Sequence, residues 1–407
     1  MEAISQKARE LGLIPMGYAP AALAPRGEKF FREHLRAGIP AGVAYLGKNQ
    51  EVRNDPSLIL PNCSLIMSFA LPYYQENLPE DPETGRISIY ALGRDYHKTL
   101  RKKLDLIGNY LKTLVPGCNT RAITDSAPFY EQFFAEMTGL AFRGQNNLVR
   151  VNHGGSWVFL GELLTDIPGD LAKSRPFSAG EQPPAPCPPG CRLCQTRCPG
   201  GAFTPQGFKI ERCLSYLTIE NPGEIPPEMI PTLGNRIYGC DECQLACPEN
   251  RKLLRHPPAP DPDFTCRYSR VLLSLSALLD LTEEDFLRVF AGSPVYRIGY
   301  QAFMRNVFAA AANAPGNPEI LGKLEAPRDT ASKPSDPEPL NASRTLKSAI
   351  LNISQLNMVS LTLSVVGLNP SLSRTGSFLP RCSPEIILIV PFFAVLFLHF
   401  CIVVYTF

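Results

Sequence analysis

Residues 187–199 read CPPGCRLCQTRCP and residues 240–248 read CDECQLACP. Each stretch holds the pattern C-x2-C-x3-C-P. The first uses Cys191, Cys194 and Cys198 before Pro199, the second Cys240, Cys243 and Cys247 before Pro248. Cys187 stands four residues ahead of the first motif, and Cys213 lies between the two. Eight of the 13 cysteines therefore fall within 61 residues, while the other five (63, 118, 266, 382, 401) are scattered and read as small buried hydrophobes. A [4Fe–4S] cube takes a thiolate at each of four corners, and in two-cluster ferredoxins the cysteine before proline serves the other cube. That logic assigns Cys187, Cys191, Cys194 and Cys247 to cluster one. Cluster two then takes Cys198, Cys213, Cys240 and Cys243. Zinc is the competing reading, since C-x2-C pairs suit a tetrahedral ion and two zincs also use eight thiolates. The two Cys-Pro endings, and the run Gly201-Ala202-Phe203 after the first, favour iron–sulfur. One spacing departs from the usual C-x2-C-x2-C-x3-C-P: the first ligand falls on Cys187, one residue early, and position 188 is proline. Either Gly190 lets this loop bulge and still deliver the thiolate, or cluster one has three ligands and is labile.

Working outward, the module runs from a proline-rich entry at 183–191 to about residue 260. The chain of 407 residues is long enough for two or three units at ~150 residues each. Apolar residues make up 44% and charged residues 19%, a globular balance that excludes global disorder. Lys plus Arg is 40 against 38 Asp plus Glu, so a basic coat over the whole chain is excluded, though a local basic face is not. The N-terminus shows no signal-peptide pattern and no twin arginine, which places the expected compartment in the cytoplasm, where clustered cysteines bind metal rather than pair.

Ahead of the module, periodicity predicts helices over 4–11, 95–114 and 128–138, and strands over 63–71, 119–124, 146–151 and 155–163. Their alternation predicts an α/β or α+β domain over 1–170. The ferredoxin-like module follows over 171–260, then a helical extension over 261–326, with helix expected across 271–313. The tail, 327–407, is different in character. Its residues 386–407 are 22 nearly uncharged apolar positions, long enough to span a bilayer. They read either as a membrane anchor or as an end foreign to the soluble core.

The stretch RCLSYLTIENPGEIPPEMIPTLGNRIYGCDECQLACPEN (212–250) resembles the ferredoxin part of epoxyqueuosine reductases. The segments RNDPSLILPNC (53–63), YALGRDYHKTLRKKL (90–104), TDSAPFYEQFFAEMTGLAFRGQNNLV (124–149) and GSWVFLGELLTD (155–166) agree, and the likeness covers about 1–320. The resemblance implies a nitroreductase-like cobalamin-binding domain followed by a two-[4Fe–4S] domain. It implies reduction of epoxyqueuosine to queuosine in tRNA, with electrons passing from an external donor (a reductase, ferredoxin or flavodoxin) through the clusters to cobalamin in a monomer. Asp125 matches the family's proton donor, and Arg53, Tyr90, Ser215 and the backbone near Leu160 match cobalamin-pocket positions.

Each has a plainer reading. Asp125 precedes a helix and suits an N-cap, Arg53 suits a surface bridge to Asp55, Ser215 suits a cap beside Cys213, and His97 suits either a pocket wall or a solvent-facing helix start. Gln145 stands where the family usually has lysine. Lys98, Arg101, Lys102 and Lys103, with Arg251, Lys252 and Arg255, suit RNA phosphates or solvated helix faces. Two other functions compete. A reductive dehalogenase shares both cofactors but is commonly exported on a twin-arginine leader. A ferredoxin-type carrier leaves the N-terminal domain unexplained.

Overall fold

The computed structural model describes residues 1–325, apart from 35–38, 78–79, 168–174, 178–181 and 315. The tail and its apolar segment 386–407 lie outside the described residues. The central sheet has five strands: β1 (Ile14–Pro20), β2 (Leu65–Pro72), β3 (Thr120–Ile123), β4 (Val158–Thr165) and β5 (Arg175–Pro176), in the order β3-β4-β2-β1-β5. Every pair in it is antiparallel, so of the two classes expected the molecule is α+β. β2 is buried along its whole length because both faces are covered. On one face lie α1 (Glu2–Glu10) and α2 (Tyr96–Leu114), the latter presenting Leu100, Leu104, Ile107 and Leu111. Gly161 of β4 lets α2 approach, since a Cβ there would stand 2.9 Å from Leu104 and 3.0 Å from Leu100. The other face carries α3 (Glu131–Met137), packed through Phe133 and Phe134 onto Ile66, Ile123 and Leu164.

The helix expected over 128–138 begins only at Glu131. Residues 125–130 form an irregular turn instead, with Asp125 left-handed at φ 43°. The expected helix across 271–313 is three: α8 (Leu275–Leu279), α9 (Glu283–Val289) and α10 (Gly299–Ala311). Thr282 caps α9 through its side chain, and the Gly292-Ser293-Pro294 run ends it, so local capping chemistry divides a stretch that composition alone presents as continuous.

The cysteine module joins the sheet domain through buried polar contacts. Asn250, fully buried, donates to Ser156 Oγ at 2.8 Å and accepts the Ser156 N–H at 3.0 Å. Gln244 donates to the Ser156 carbonyl at 2.8 Å and to Tyr73 at 3.1 Å. Gly155 accommodates Asn250 closely, since a Cβ there would lie 2.5 Å from its Oδ1. Strand Arg236–Tyr238 pairs in parallel with Arg86–Ile87. Arg305 and Asn306 of α10, both buried, bind backbone carbonyls of Leu217 and Thr218 on the module side.

Candidate active site

Both cysteine motifs fold as a loop closed by one turn of helix: α4 (Leu193–Thr196) and α6 (Glu242–Leu245), which touch each other. Between them runs α5 (Leu214–Ile219), and α7 (Pro248–Leu253) follows Cys247 with Pro248 in its first turn, where the missing N–H costs nothing. Burial pushes the Cys194 thiol up to about 11, and the neighbouring sulfurs of Cys187, Cys247 and Cys191 add to the rise. Burial likewise lifts Cys243 well above an ordinary thiol, with Cys240, Cys213 and Cys198 contributing next. Mutual influence thus divides the eight sulfurs into two quartets, each drawing one member from the far motif. The residue inserted after Cys187 is taken up in a turn: Cys191 N–H binds the Pro188 carbonyl at 3.0 Å, and Gly190 is left-handed at φ 72°. Buried thiols that raise one another's pKa disfavour free thiolates, and bound iron supplies the positive charge that reverses this. The donor set therefore fits cubane ligation. Among the described residues no three His, Cys, Asp or Glu side chains are gathered as for one metal ion. Of the scattered cysteines Cys118 is buried, Cys63 and Cys266 are half-buried, and positions 382 and 401 lie outside the described residues; desolvation lifts the Cys63 thiol to about 12.

Two adjoining cavities, of about 630 and 840 Å³, flank the Asp125 turn, and the second reaches Cys213 of the second quartet. They share Tyr45, Asp125, Phe208 and Ile210. Arg53 lines the first; Tyr90, His97, Cys213 and Ser215 line the second. A cluster-two cysteine and Asp125 thus face one continuous space. Its walls set aromatic faces such as Tyr45, Tyr90 and Tyr96 among many polar and charged groups, Arg53 and Arg297 included, which fits a flat macrocycle with an amide rim such as a corrin.

Asp125 is 70% exposed into this space. Its Oδ2 accepts the Tyr96 hydroxyl at 2.7 Å and stands 3.8 Å from His97 Nε2. His97 is half-buried and lines the second cavity: its Nδ1 meets Asp95 at 2.6 Å and its ring stacks on Tyr96. Burial, then the Asp125 charge, push the Tyr96 phenol far above its usual range, so it remains a donor. Asp125 does not cap α3, whose N-cap is Tyr130 without a side-chain bond. Arg53 makes no bridge to Asp55. It is buried, donates to the Phe129 carbonyl at 3.1 Å and lies over the Phe31 ring. Ser215 sits inside α5, whose N-cap is Cys213. Leu160 lines neither cavity; its carbonyl accepts the Thr124 hydroxyl at 3.0 Å and so anchors the residue before Asp125. Gln145 is exposed and accepts from Gln195 of the module at 3.3 Å.

The basic run on α2 divides. Lys103 turns inward to Asp261 at 2.7 Å, and Arg101 donates to Ser126 at 2.7 Å. Lys98 and Lys102 face a groove of about 590 Å³ with Arg94 and Arg267, and this groove shares Asp95, Lys98 and Gly292 with the second cavity.

A family model described as "Epoxyqueuosine reductase QueG, DUF1730" matches residues 53–126, and one described as "4Fe-4S double cluster binding domain" matches residues 187–250. The epoxyqueuosine reductase of Escherichia coli is 37% identical over 329 residues, 79% of this chain and 83% of the relative. That of Vibrio cholerae is 36% identical over 329 residues, covering 79% and 85%. The chain belongs to the epoxyqueuosine reductase family. An epoxyqueuosine reductase structure from Bacillus subtilis, with its catalytic aspartate loop swung out of the active site, superposes with a TM-score of 0.67 at 24% identity, covering 91% of this chain and 95% of that one. A second, with an epoxyqueuosine-modified tRNA-Tyr stem loop, gives 0.66 at 23% identity, covering 87% and 98%. These likenesses show a shared fold.

Two residues of this site escape the sequence patterns that flag the others. Glu131 accepts the Asp125 backbone N–H, and Glu162 lies fully buried on β4. Glu162 leaves one signal in the sequence: it is the lone charge in the apolar run Val158–Thr165.

Proposed function

We propose that the chain reduces epoxyqueuosine to queuosine in tRNA. The observation carrying this reading is that Asp125 and Cys213 line one cleft, which puts a carboxyl group beside the outlet of the second cysteine quartet. Cys187, Cys191, Cys194 and Cys247 hold one [4Fe–4S] cluster, and Cys198, Cys213, Cys240 and Cys243 hold the other. Bound cobalamin supplies low-potential reducing chemistry at the epoxide. The residues around the cleft would hold it: Arg53 and Tyr90 at the two cavities and Ser215 beside the cluster, while the Leu160 carbonyl would act one step removed, by anchoring Thr124 before Asp125.

Opening an epoxide leaves an alkoxide, and a proton delivered as that charge develops lowers the barrier. Asp125, protonated for this step, donates it from the carboxyl that Tyr96 orients; two electrons in all and a second proton from solvent break the remaining C–O bond, so that the epoxide oxygen leaves as water and a carbon–carbon double bond remains. Lys98, Lys102, Arg94 and Arg267 take phosphates of the RNA that leads to the cleft. A separate protein donates the electrons, and one chain suffices for turnover. The working division is a cobalamin domain over 1–170, the two-cluster module over 171–260 and the helical extension to 326. Among the described residues no helix is long and apolar enough to cross a membrane.

The test uses the full chain, loaded without oxygen with iron, sulfide and cobalamin, given a strong reductant and epoxyqueuosine-containing tRNA. Nucleosides of the digested RNA are identified by mass. Queuosine forms only with cobalamin present, and Asp125→Asn slows it by about 10²- to 10⁴-fold while cobalamin still binds. No queuosine from fully loaded protein overturns the assignment.

A further inference from the structure

Beneath the Asp125 turn lie two glutamates that this chemistry leaves unused. Glu131 opens α3 and sends its carboxylate back over the turn, where Oε1 accepts the Asp125 N–H. Asp125 needs such a tie. A non-glycine residue held in a sparsely populated backbone region costs about 1–3 kcal/mol and persists only when its surroundings impose it. Glu162 lies deeper. It pairs with Ile123 of β3 on one side and Ser68 of β2 on the other. Opposed residues of an antiparallel ladder share a face, so Glu162 points with Ile123 into the layer occupied by Phe133 and Phe134 of α3. It is 0% exposed, and neither of its oxygens has a hydrogen-bond partner. Ser68 Oγ beside it is also unpartnered.

An ionised carboxylate buried without a partner is too costly to persist, so Glu162 carries a proton. Glu131 is near enough for its charge to act on Glu162. The other groups facing Glu131 are Asp125 above it, the Arg53 guanidinium from the helix Gln50–Asn54, and the Tyr96 phenol from α2.

We infer that half-buried Glu131 and fully buried Glu162 form a carboxyl pair in which Glu131 is the positioning residue of the Asp125 turn and protonated Glu162 is the neutral floor beneath it. The inference rests on the reading of Asp125 as the proton donor. Burial, then the Asp125 charge, lift Glu131 to about 8, against the pull of the Asp125 N–H and Arg53. Below that pH it accepts as a neutral carboxyl. Above it, the anion accepts more strongly, because a charged acceptor makes the shorter and stronger bond. The tie on Asp125 tightens as pH rises through about 8.

Three variants of the loaded full chain test this. Glu131→Ala removes the acceptor and lowers kcat for queuosine formation about a hundredfold, the scale at which an ångström of misplacement acts, with KM for tRNA nearly unchanged. Glu131→Gln keeps an oxygen on the Asp125 N–H and restores most of the rate at pH 7, but the ratio of wild-type to Glu131→Gln rate rises as pH passes through 8. If Ala and Gln variants fall together with no pH-dependent ratio, the positioning role is wrong. The second readout needs no RNA. Infrared spectra of the loaded protein show the carbonyl stretch of a protonated carboxyl at pH 7 and above that Glu162→Gln removes. A second such band titrates near pH 8 and is absent from Glu131→Gln. Spectra without either band overturn the pair. Wild-type protein that makes no queuosine yet shows both bands removes the tRNA reading and leaves the pair standing.

Discussion

The cysteine module and the Asp125 turn each present reactive groups, and they do so by opposite means. In the module, short chain segments do most of the placing. Two C-x2-C-x3-C-P loops, each closed by one turn of helix, bring their thiols together, and single cysteines cross over to complete each quartet. In the turn, the reactive carboxylate is largely exposed and its supports are mixed: Tyr96 and His97 of α2 and Leu160 of β4, which anchors Thr124, come from distant parts of the chain, while Glu131 of α3 reaches back from six residues on. Beneath them is a carboxyl buried without a partner. A site written in local spacing survives loosening elsewhere in the molecule. A site assembled across the sheet depends on every layer beneath it.

The largest expected effect on this contrast comes from the module. Cys243→Ala removes one corner of the second quartet, and bound iron falls by about half, since each cube needs its four thiolates. Queuosine formation is lost while the sheet domain stays folded, as iron analysis and circular dichroism would show. Full iron content in Cys243→Ala would break the idea that each quartet acts as a unit.

Next is the joint between the two regions. Asn250→Ala leaves Ser156 and the Gln244 carbonyl short of a buried partner. It destabilises the protein by about 1–3 kcal/mol, the usual cost of a stranded buried polar group, read from the unfolding midpoint. An unchanged midpoint would mean that the module and the sheet domain are joined by other contacts.

The smallest effect concerns the floor of the turn. Burial raises the folded-state pKa of Glu162 far above an ordinary carboxyl. The stability that its neutral form contributes is present below the unfolded value near 4.5 and is lost as pH rises toward the folded one. Glu162→Gln has no such loss, so its stability relative to wild type rises as pH goes from 5 to 8, read from the unfolding midpoint at each pH. Melting curves that stay parallel across that range would show that Glu162 finds a partner.

How far the sequence was legible follows the same division. The strand at Leu65–Pro72 and the helix Tyr96–Leu114 are long, periodic and bounded by strong stop signals, so pattern alone locates them. The turn before α3 was not legible. Pro128 reads as a helix start, but Asp125 is held left-handed by Glu131 and the helix waits until that carboxylate has reached back. The plain readings of Arg53 and Ser215 failed for a related reason. Each suits its immediate neighbours, yet Arg53 is drawn under the Phe129 carbonyl, and Ser215 lies inside a helix that Cys213 caps.

By itself, the sequence determined the two-cluster module, the α-plus-β character of the domain before it and the family to which the chain belongs. Ligand spacing and hydrophobic period are properties of neighbours along the chain, and they survive being read in one dimension. Tertiary structure alone decided that the sheet is antiparallel, that Lys98 and Lys102 face a groove while Lys103 turns inward, and that Glu131 and Glu162 lie beneath Asp125. Burial and charge at those positions are set by residues far away in sequence, and the energy of a carboxyl group depends on what surrounds it rather than on what precedes it.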